Sequence, residues 1–319
     1  MNRVSTIGAT TWGNTLARLI AANGSPVRIW ANTQERAAAA GPAKNELIQI
    51  TTDPRCAAEG SGVAIFAVPA QAVRRTARLF MHLISGPIIF ASAAKGLEAG
   101  SGKRMTEILA EELHAGPEKL AVISGPNLSR EINMGLPAVT IVASHDRQTG
   151  KTLVKLLESG NFSVFSSSDI QGVELCGALK NVIALGAGMS DGLGLGSNAK
   201  AALVTVGWQE AIKLGRELGA SEETFYGFAG LGDLVTTCIS PLSRNYHVGY
   251  EISHGEHLTS VLKGMQNVAE GVDTAVAVHL LAGKVGVRLP LMEAVYCVLN
   301  ENMDPRRIAG YFLNGHRPA

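Results

Sequence analysis

The middle of the chain, residues 174–198, is built almost entirely from small and apolar amino acids. If this stretch is helical, the helix is apolar on all sides, and such a helix is normally buried. Many of its residues between 177 and 188 are glycine or alanine, which would let another backbone or a ligand approach closely. The stretch therefore predicts a core helix against which other segments pack.

One charged residue, Lys180, lies in the middle of this apolar stretch. On a helix, residues three and four positions away share its face, and these include Cys176 and Ile183. Burial there would disfavour the ammonium and lower its pKa toward the range in which a lysine exchanges protons. The alternative is a lysine at the helix edge that extends its amine to water.

The first 30 residues have the pattern of strand, glycine turn, helix and strand. A β-branched strand at 3–7 leads into the turn from Gly8 to Gly13, a helix that stops near Asn23, and a strand at 26–30. This pattern is typical of a dinucleotide-binding βαβ unit, in which a glycine turn and a helix N-terminus receive the pyrophosphate. The alternative is a tight turn of the same fold that binds nothing.

The glycine fingerprint is incomplete at its middle position, which is Thr10. Its side chain is expected to crowd a pyrophosphate or displace it. The second strand is followed by Ala31, Asn32 and Thr33, so an acidic residue for a ribose hydroxyl is missing, and the nearest arginine is Arg36. The choice between NAD and NADP stays open.

Apolar strands recur in the first half and alternate with helical segments. They are predicted at 63–69, 87–92, 120–124, 137–143 and 162–165, whereas 34–62 is polar and poorly periodic. Alternation of this kind favours a doubly wound, mostly parallel sheet, with ligands beyond the carboxyl ends of the strands. Lys95 and the loop at 124–127 follow two of these strands. Lys95 is either a substrate contact or a solvated loop lysine.

Strand signals nearly vanish after residue 172. Helical segments are predicted at 172–189, 198–218, 221–227, 233–237, 268–285 and 289–300. The fold class is therefore an α/β Rossmann-type N-terminal domain at 1–170 with an all-α C-terminal domain at 171–319. Of these two domains, we expect the first to bind the cofactor and the second to carry the chemistry.

Three polar positions stand out in the helical half. Asp233 lies among apolar and small residues, and a buried carboxylate needs a cationic partner, for which Lys180 is the natural candidate. Arg244 follows a serine and precedes an asparagine, which suits a phosphate, although a surface arginine is the alternative. Glu270 could reach a ribose hydroxyl or cap a helix N-terminus.

Composition excludes several classes of protein. Apolar residues make up 46% and charged residues 17%, which is typical of a globular protein, and a net charge of +1 gives no footprint for nucleic acid. The four cysteines and eight histidines are scattered, so we expect free thiols and no metal site. With neither a leader nor a membrane span predicted, the expected location is the cytoplasm.

Taken together, these motifs resemble the NAD(P)-dependent glycerol-3-phosphate dehydrogenase family of the bacterial type, over nearly the whole chain. The most specific motifs are Gly-Ala-Leu-Lys-Asn at 177–181 and Gly-Leu-Gly-Asp-Leu at 230–234. The other matching segments are 8–13, 67–69, 95–98, 124–126, 192–196, 243–245 and 270–271. The resemblance implies reversible reduction of dihydroxyacetone phosphate to sn-glycerol 3-phosphate, which feeds glycerophospholipid synthesis.

The resemblance also implies roles for residues. Lys180 would be the general acid and base, Lys95 would hold the carbonyl, and Asp233 with Thr237 would orient Lys180. The other implied substrate contacts are Gly125, Asn127, Ser243, Arg244 and Asn245. The implied cofactor contacts, to NAD or NADP, are Gly8, Thr10, Thr11, Trp12, Gly13, Asn32, Pro69, Lys95, Ser129, Arg244, Val268 and Glu270.

Four departures from the family pattern fall in the cofactor half. They are Thr10, Asn32, Asn127 where serine is usual, and the absence of a Tyr-Leu-Pro-Gly segment before the third strand. Two other functions remain open: a dehydrogenase of another hydroxy acid, and a sensor that binds nucleotide or sugar phosphate with weak turnover. The apolar helical half also makes a homodimer plausible.

Overall fold

The computed structural model describes residues 3–41, 45–84, 86–240, 243–265 and 268–313. The chain divides into two compact units. The first comprises Met1–Ala94 and Met105–Val173, and the second comprises Lys95–Arg104 and Glu174–Ala319. The segment that carries Lys95 thus groups with the helical half, although it interrupts the first unit in sequence. The domain boundary at residues 170 and 171 stays a prediction.

The first unit contains eight strands and seven α-helices among the described residues. The strands are β1 Arg3–Ile7, β2 Val27–Trp30, β3 Ile48–Thr51, β4 Ser61–Phe66, β5 Ile89–Ser92, β6 Leu120–Ser124, β7 Ala138–Ser144 and β8 Phe162–Ser167. The helices are α1 Thr11–Ala22, α2 Gln34–Ala39, α3 Pro54–Ala58, α4 Val73–Met81, α5 Met105–Leu113, α6 Ser129–Asn133 and α7 Arg147–Leu157.

The eight strands form one sheet in the order β3-β2-β1-β4-β5-β6-β7-β8. Every neighbouring pair is parallel except β6 and β7, which run antiparallel. Val4 lies opposite Val27 and Ile7 opposite Trp30 in the register of β1 with β2. The predicted doubly wound, mostly parallel sheet is confirmed.

Apolar side chains cover both faces of this sheet, as parallel sheets require. Leu16 and Ile20 of α1 are fully buried in the cluster on one face. Phe66 and Phe80 are buried on the other, where the ring of Phe80 meets Trp30 edge-on at 5.3 Å between centroids. The helical spacing seen in the sequence therefore positions α1, and with it the glycine turn, against the sheet.

Residues 34–62, which we interpreted as polar and poorly periodic, hold three short elements: α2, β3 and α3. Thr33 and Asp53 cap the two helices through their side chains, and Pro54 occupies the first turn of α3. No element was predicted in this stretch, and each of the three is only four to six residues long. Elements this short show too few turns or alternations for periodicity to register.

Among the described residues, the elements of the second unit are helices, together with a single β-bridge between Leu97 and Arg104. The helices are α8 Ile170–Gly192, α9 Gly196–Glu217, α10 Glu222–Tyr226, α11 Asp233–Ile239, α12 Arg244–Ser253, α13 Leu258–Gly264, α14 Glu270–Val285, α15 Pro290–Asn300 and α16 Gly310–Leu313. The sequence predicted most of these but missed α12, α13 and α16. The first four residues of α8 fall within the first unit.

Helix α8 is the core helix that the sequence predicts. Among the described residues it alone is long and apolar enough to cross a membrane, yet its apolar window is entirely buried inside the protein. Its small residues admit neighbouring backbone, as expected. A side chain at Gly188 would overlap the carbonyl oxygen of Tyr246, and one at Gly249 of α12 would overlap that of Leu185. Glycine thus lets α8 and α12 pack backbone against backbone.

A buried carboxylate organises another helix junction in this unit. Glu210 of α9 accepts hydrogen bonds from the amides of Leu291, at 2.8 Å, and Met292, at 2.9 Å, at the start of α15. Burial raises the pKa of Glu210 to about 7. Glu210 therefore serves α15 as a helix cap supplied by another helix.

Candidate active site

Lys180 lies on α8 with only 6% of its surface exposed, so it does not extend to water. Its Nζ donates to Asp233 Oδ1 at 2.5 Å and to Thr237 Oγ1 at 2.6 Å. Both partners belong to α11. The structure thus contains the pairing of Lys180 with Asp233 that the sequence suggested.

Asp233 binds a second lysine through its other oxygen. Lys95 Nζ donates to Asp233 Oδ2 at 2.8 Å, while Asp233 itself is 2% exposed. One carboxylate therefore joins two ammonium groups. We call Lys95, Lys180, Asp233 and Thr237 the lysine–aspartate cluster.

Local backbone structure explains how Asp233 reaches this position. A π-helical turn, Phe228–Gly232, directly precedes α11, and Asp233 is the first residue of that helix. A side chain at Gly230 would overlap the carbonyl oxygen of Phe225, so the turn needs glycine there. Wide turns of this kind are frequent at functional sites.

The surroundings of Lys180 lower its pKa from the ordinary lysine value to about 8. Burial is the largest cause, the carboxylate of Asp233 opposes it, and the charge of Lys95 lowers the pKa further. An amine with such a pKa can give up and regain a proton near neutral pH. The cluster therefore has the property that acid–base chemistry on an oxygen atom requires.

Asn181, which follows Lys180, holds the segment that carries Lys95. Its Nδ2 donates to Lys95 O at 3.0 Å and to Gly177 O at 3.2 Å. Asn181 belongs to the family motif at 177–181, but no role was predicted for it. The available signal was that a buried amide in an apolar helix needs hydrogen-bond partners.

Further contacts fasten the same segment to the helices of its unit. Arg104 Nη1 forms a salt bridge with Glu174 Oε2 of α8 at 2.8 Å, and Lys284 Nζ of α14 donates to Ser101 O at 3.0 Å. Gly102, with a φ of +76°, packs against the side chain of Leu281. The Lys95 segment is thereby fixed to α8 and α14.

Cys238 lies beside the cluster but lacks the properties of a nucleophile. Burial raises the pKa of its thiol to about 12. The thiolate is the reactive form of cysteine, so this thiol stays protonated and inert near neutral pH. Cys176 is also buried and belongs to the apolar core, as the sequence suggested.

The polar trio lies at the start of α12. Ser243 caps the helix by accepting a hydrogen bond from Tyr246 N. Arg244 is exposed, and its Nη1 donates to Val268 O at 2.8 Å. Asn245 is buried, and its Oδ1 accepts a hydrogen bond from Gly271 N at 2.9 Å. Its Nδ2 is the side-chain atom that can donate a hydrogen bond to a ligand. A cation and a helix N-terminus at one place favour an anion.

Glu270 is the first residue of α14, and its predecessor Ala269 provides no side-chain cap. The acidic side chain in the first turn suits the helix dipole and lies near enough to Arg244 to interact with its charge. Val268 is exposed. Gln266 and Asn267, which precede this segment in the sequence, lie outside the described residues.

The glycine turn of the first unit follows β1 and leads into α1. Gly8 has a φ of +122°, and a side chain at Gly13 would overlap the carbonyl oxygen of Gly8, so both positions require glycine. Thr10, Thr11 and Trp12 form the start of α1. The arrangement presents a helix N-terminus at the end of a parallel strand, which is the geometry that receives a pyrophosphate.

Other predicted cofactor residues follow neighbouring strands of the same sheet. Asn32 comes after β2 and Pro69 after β4, and these strands flank β1 on either side. Since the three strands are parallel, their carboxyl ends lie at one edge. The fold therefore brings Asn32, Pro69 and the glycine turn to one edge of the sheet.

The loop after β6 is tied to β7 by Asn127. Its Nδ2 donates to Val139 O at 2.9 Å, and its Oδ1 accepts from the hydroxyl of Thr140 at 2.9 Å. Gly125 has a φ of +155°, and Ser129 begins α6. The side chain of Asn127 is thus occupied in holding the loop, while its implied contact with a substrate stays a prediction.

No group of three or more metal-binding side chains occurs within the part of the chain that the structure describes. Two features of the described residues can support chemistry: a glycine turn on a doubly wound sheet and a buried lysine–aspartate cluster in a helical unit. A dinucleotide-binding turn and a buried proton donor are the features of an NAD(P)-dependent oxidoreductase.

Family models narrow this class. A model described as the NAD-dependent glycerol-3-phosphate dehydrogenase N-terminus matches residues 3–150, and one for the C-terminus of the same enzymes matches residues 169–310. The chain belongs to the NAD(P)-dependent glycerol-3-phosphate dehydrogenase family. The resemblance noted in the sequence is confirmed.

Relatives and solved structures agree with this assignment. A glycerol-3-phosphate dehydrogenase (NAD(P)+) of Dehalococcoides mccartyi is 42% identical, covering 97% of this chain and 90% of its own. One from Corynebacterium glutamicum is 40% identical, covering 95% of each chain. The crystal structure of glycerol-3-phosphate dehydrogenase from Coxiella burnetii has a TM-score of 0.92 at 34% identity, covering 98% of each chain.

Proposed function

We propose that this chain catalyses the reversible reduction of dihydroxyacetone phosphate to sn-glycerol 3-phosphate with NADH or NADPH. The observation that carries this proposal is the lysine–aspartate cluster, because it places a proton donor with a lowered pKa in a buried site. Family membership supplies the substrate and the cofactor.

Lys180 acts as the general acid in this proposal. A nicotinamide, when bound, would supply a hydride for the carbonyl carbon, and the negative charge that develops on the carbonyl oxygen would have to be met by residues of this chain. The ammonium of Lys180 donates a proton to that oxygen, and its neutral amine takes the proton back in the reverse reaction. A placed proton donor of this kind contributes about 10²–10⁴-fold to the rate.

The other members of the cluster prepare Lys180 and the carbonyl. Asp233 and Thr237 hold the Lys180 amine through two hydrogen bonds, so its free proton has a defined direction. Lys95 adds a second positive charge on the far oxygen of Asp233, and we assign it the polarisation of the carbonyl. The anionic transition state would therefore be stabilised by two ammonium groups.

The polar trio at α12 is assigned to the substrate phosphate. Arg244 offers a charged fork, Asn245 offers an amide, and Ser243 lies at the same helix start. Gly125 and Asn127 are assigned as further substrate contacts. An unphosphorylated hydroxy acid would not need such a trio, which favours the phosphorylated substrate.

Removing the guanidinium should weaken binding of the phosphorylated substrate. For Arg244→Ala we expect the KM for dihydroxyacetone phosphate to rise about 10–100-fold, because a charge-assisted pair is lost. Steady-state kinetics at saturating cofactor measures this, with Arg216→Ala on α9 as the matched control. An unchanged KM in Arg244→Ala would contradict the phosphate assignment.

We assign the cofactor to the glycine turn and to residues at the strand ends. Gly8, Gly13 and the start of α1 would receive the pyrophosphate, and Asn32 would lie toward the ribose. The remaining assigned contacts are Thr10, Thr11, Trp12, Pro69, Lys95, Ser129, Arg244, Val268 and Glu270. The family model for the N-terminus of these enzymes matches residues 3–150, a range that includes all of these positions except Arg244, Val268 and Glu270.

The direct test of the proposed function is consumption of NADH or NADPH followed at 340 nm. Purified protein is mixed with dihydroxyacetone phosphate, and separately with unphosphorylated dihydroxyacetone as the control. We expect turnover with the phosphorylated substrate, with product confirmed as sn-glycerol 3-phosphate. Absence of turnover with either cofactor in a folded protein would overturn the proposal and favour a sensor. Comparison of the two cofactors decides between NAD and NADP.

The cellular setting follows from the same proposal. The product would feed glycerophospholipid synthesis, and we place the protein in the cytoplasm without membrane insertion. We also propose a homodimer, supported by exposed apolar residues on the helical unit such as Ile239 and Tyr226. The two domains, 1–170 for the cofactor and 171–319 for substrate chemistry, complete the assignment.

A further inference from the structure

Thr10 occupies the position at which the dinucleotide fingerprint has its middle glycine. Its backbone is extended, with φ −84° and ψ 167°, which any residue adopts. At Gly8 the φ is positive, and at Gly13 a side chain would overlap the carbonyl oxygen of Gly8. The chain therefore keeps glycine where the backbone demands it and departs from the fingerprint where a side chain is sterically possible.

The hydroxyl of Thr10 makes two hydrogen bonds within the protein. Its Oγ1 accepts from Gly13 N at 3.0 Å, which caps α1, and donates to Ala67 O at 2.8 Å. Ala67 directly follows β4, and its own amide donates to Ile7 O of β1 at 2.9 Å. Thr10 thus links the glycine turn to the end of the adjacent strand.

These bonds explain why a threonine need not obstruct a ligand. The proton and a lone pair of the hydroxyl are directed toward Ala67 and Gly13, both part of the protein's own backbone. The amides of Thr11 and Trp12, the first two of α1, have no partner within the helix, as at every helix start. They are left as donors for an anion.

We propose that Thr10 is a positioning residue of the dinucleotide site. Its hydroxyl holds the glycine turn in the conformation in which the start of α1 receives the pyrophosphate of the cofactor. A turn fixed in advance loses less conformational freedom on binding, so affinity for NADH and NADPH depends on this hydroxyl. The proposal rests on cofactor binding by this chain and does not require a particular substrate.

The test is the affinity for NADH without substrate, measured by fluorescence titration of the native chain and of variants at Thr10. For Thr10→Val, which keeps the shape and removes both hydrogen bonds, we expect the Kd to rise about tenfold. Thr10→Ser keeps the hydroxyl and should stay within about twofold of the native Kd. Thr10→Gly should also bind less tightly than the native chain, because the turn is no longer held.

A control separates positioning from general stability. Asp146→Ala removes the side-chain cap of α7, another helix of the same unit, and should lower the Tm without changing the Kd for NADH. Thr10→Val should lower the Tm as well but, unlike the control, should also raise the Kd and the KM for NADH. The kcat at saturating NADH should change little. If Thr10→Val does not fold, Thr10→Ala provides the same comparison.

Three results would overturn the proposal. The first is a native Kd for NADH in both Thr10→Val and Thr10→Ala, which would mean that Thr10 only caps the helix. Thr10→Gly could bind more tightly, which would mean that the side chain obstructs the cofactor. The native chain could fail to bind NADH at all. Native binding without turnover of dihydroxyacetone phosphate would instead overturn the proposed function and leave the role of Thr10 standing.

Discussion

Replacing Lys180 with methionine should lower the kcat for dihydroxyacetone phosphate reduction by about 10²–10⁴-fold, the contribution expected of a placed proton donor. Methionine has a similar length and is apolar, so it suits the buried position on α8. Asp233 keeps its salt bridge with Lys95, so its carboxylate is not left unpaired. The variant should therefore fold.

Binding of NADH should survive this substitution, since the proposed cofactor contacts do not include Lys180. NADH titration and steady-state kinetics on the same preparation measure the two properties separately. Lys213→Met on α9 is the matched control, because the same side-chain change is made at an exposed lysine that donates to a backbone carbonyl. A Lys180→Met variant with native turnover would remove Lys180 from the mechanism.

Replacing Asp233 with asparagine should disturb both lysines at once. The carboxylate raises the pKa of Lys180 against burial and against the charge of Lys95. Without it the largest cause that raises the pKa is lost, while burial and the charge of Lys95 still lower it, so the pKa of Lys180 should fall below about 8. A larger fraction of the amine is then neutral at pH 7, and the loss of reduction rate at alkaline pH should begin at a lower pH than in the native enzyme.

The same substitution should cost stability, because it leaves the buried ammonium of Lys180 without its carboxylate. Loss of one partner of a buried pair typically costs about 3–5 kcal/mol. The sign with pH follows from Lys180, whose folded pKa lies below its unfolded value. Below the folded pKa the buried ammonium lowers the free energy of unfolding by its full desolvation penalty. As the pH rises from the folded pKa toward the unfolded pKa, the buried amine becomes neutral and this penalty is relieved.

Denaturant unfolding at several pH values and the pH profile of kcat measure these two effects of Asp233→Asn. Asp191→Asn is the matched control, because Asp191 also pairs with a lysine of the helical unit, Lys200, outside the cluster. The control should leave the pH profile unchanged. An Asp233→Asn variant whose rate loss begins at the native pH would show that the carboxylate does not set the pKa of Lys180.

The sequence predicted the fold well where elements are long or strongly apolar. The strands at β1 and β6 and the buried helix α8 were found because several residues in succession repeat one pattern. The short elements α2, β3 and α3 were missed because four to six residues are too few to show a period. Helix α12 was missed because its residues were interpreted as a polar trio, although Ser243 carries a capping signal.

One contact within the lysine–aspartate cluster could be predicted from the sequence, whereas the contacts of the Lys95 segment could not. Lys180 and Asp233 are both charges in apolar surroundings, so each required a partner and each indicated the other. That Lys95 shares the same carboxylate, and that Asn181 holds its backbone, depends on how residues 95–104 fold onto α8. Lys95 lies far in sequence from both Asp233 and Asn181, so no local pattern in the sequence indicates either contact.

Thr10 shows the limit of reasoning from a motif. The fingerprint indicates that a side chain at this position crowds the pyrophosphate. In the structure its hydroxyl is bonded to Gly13 of the turn and to Ala67 at the end of β4, while the crowding of a pyrophosphate stays a prediction. The hydrogen bonds of this hydroxyl to backbone groups could not be predicted from the sequence, because they depend on the end of β4 lying beside the turn.

If the Lys180 amine transfers the proton, the pH dependence of kcat must differ between the two directions of the reaction. Reduction of dihydroxyacetone phosphate needs the ammonium, so its kcat should fall as the pH rises through about 8, the pKa of Lys180. Oxidation of glycerol 3-phosphate needs the neutral amine, so its kcat should rise through the same pH. Two profiles that are flat there, or that change in the same direction, would contradict the account.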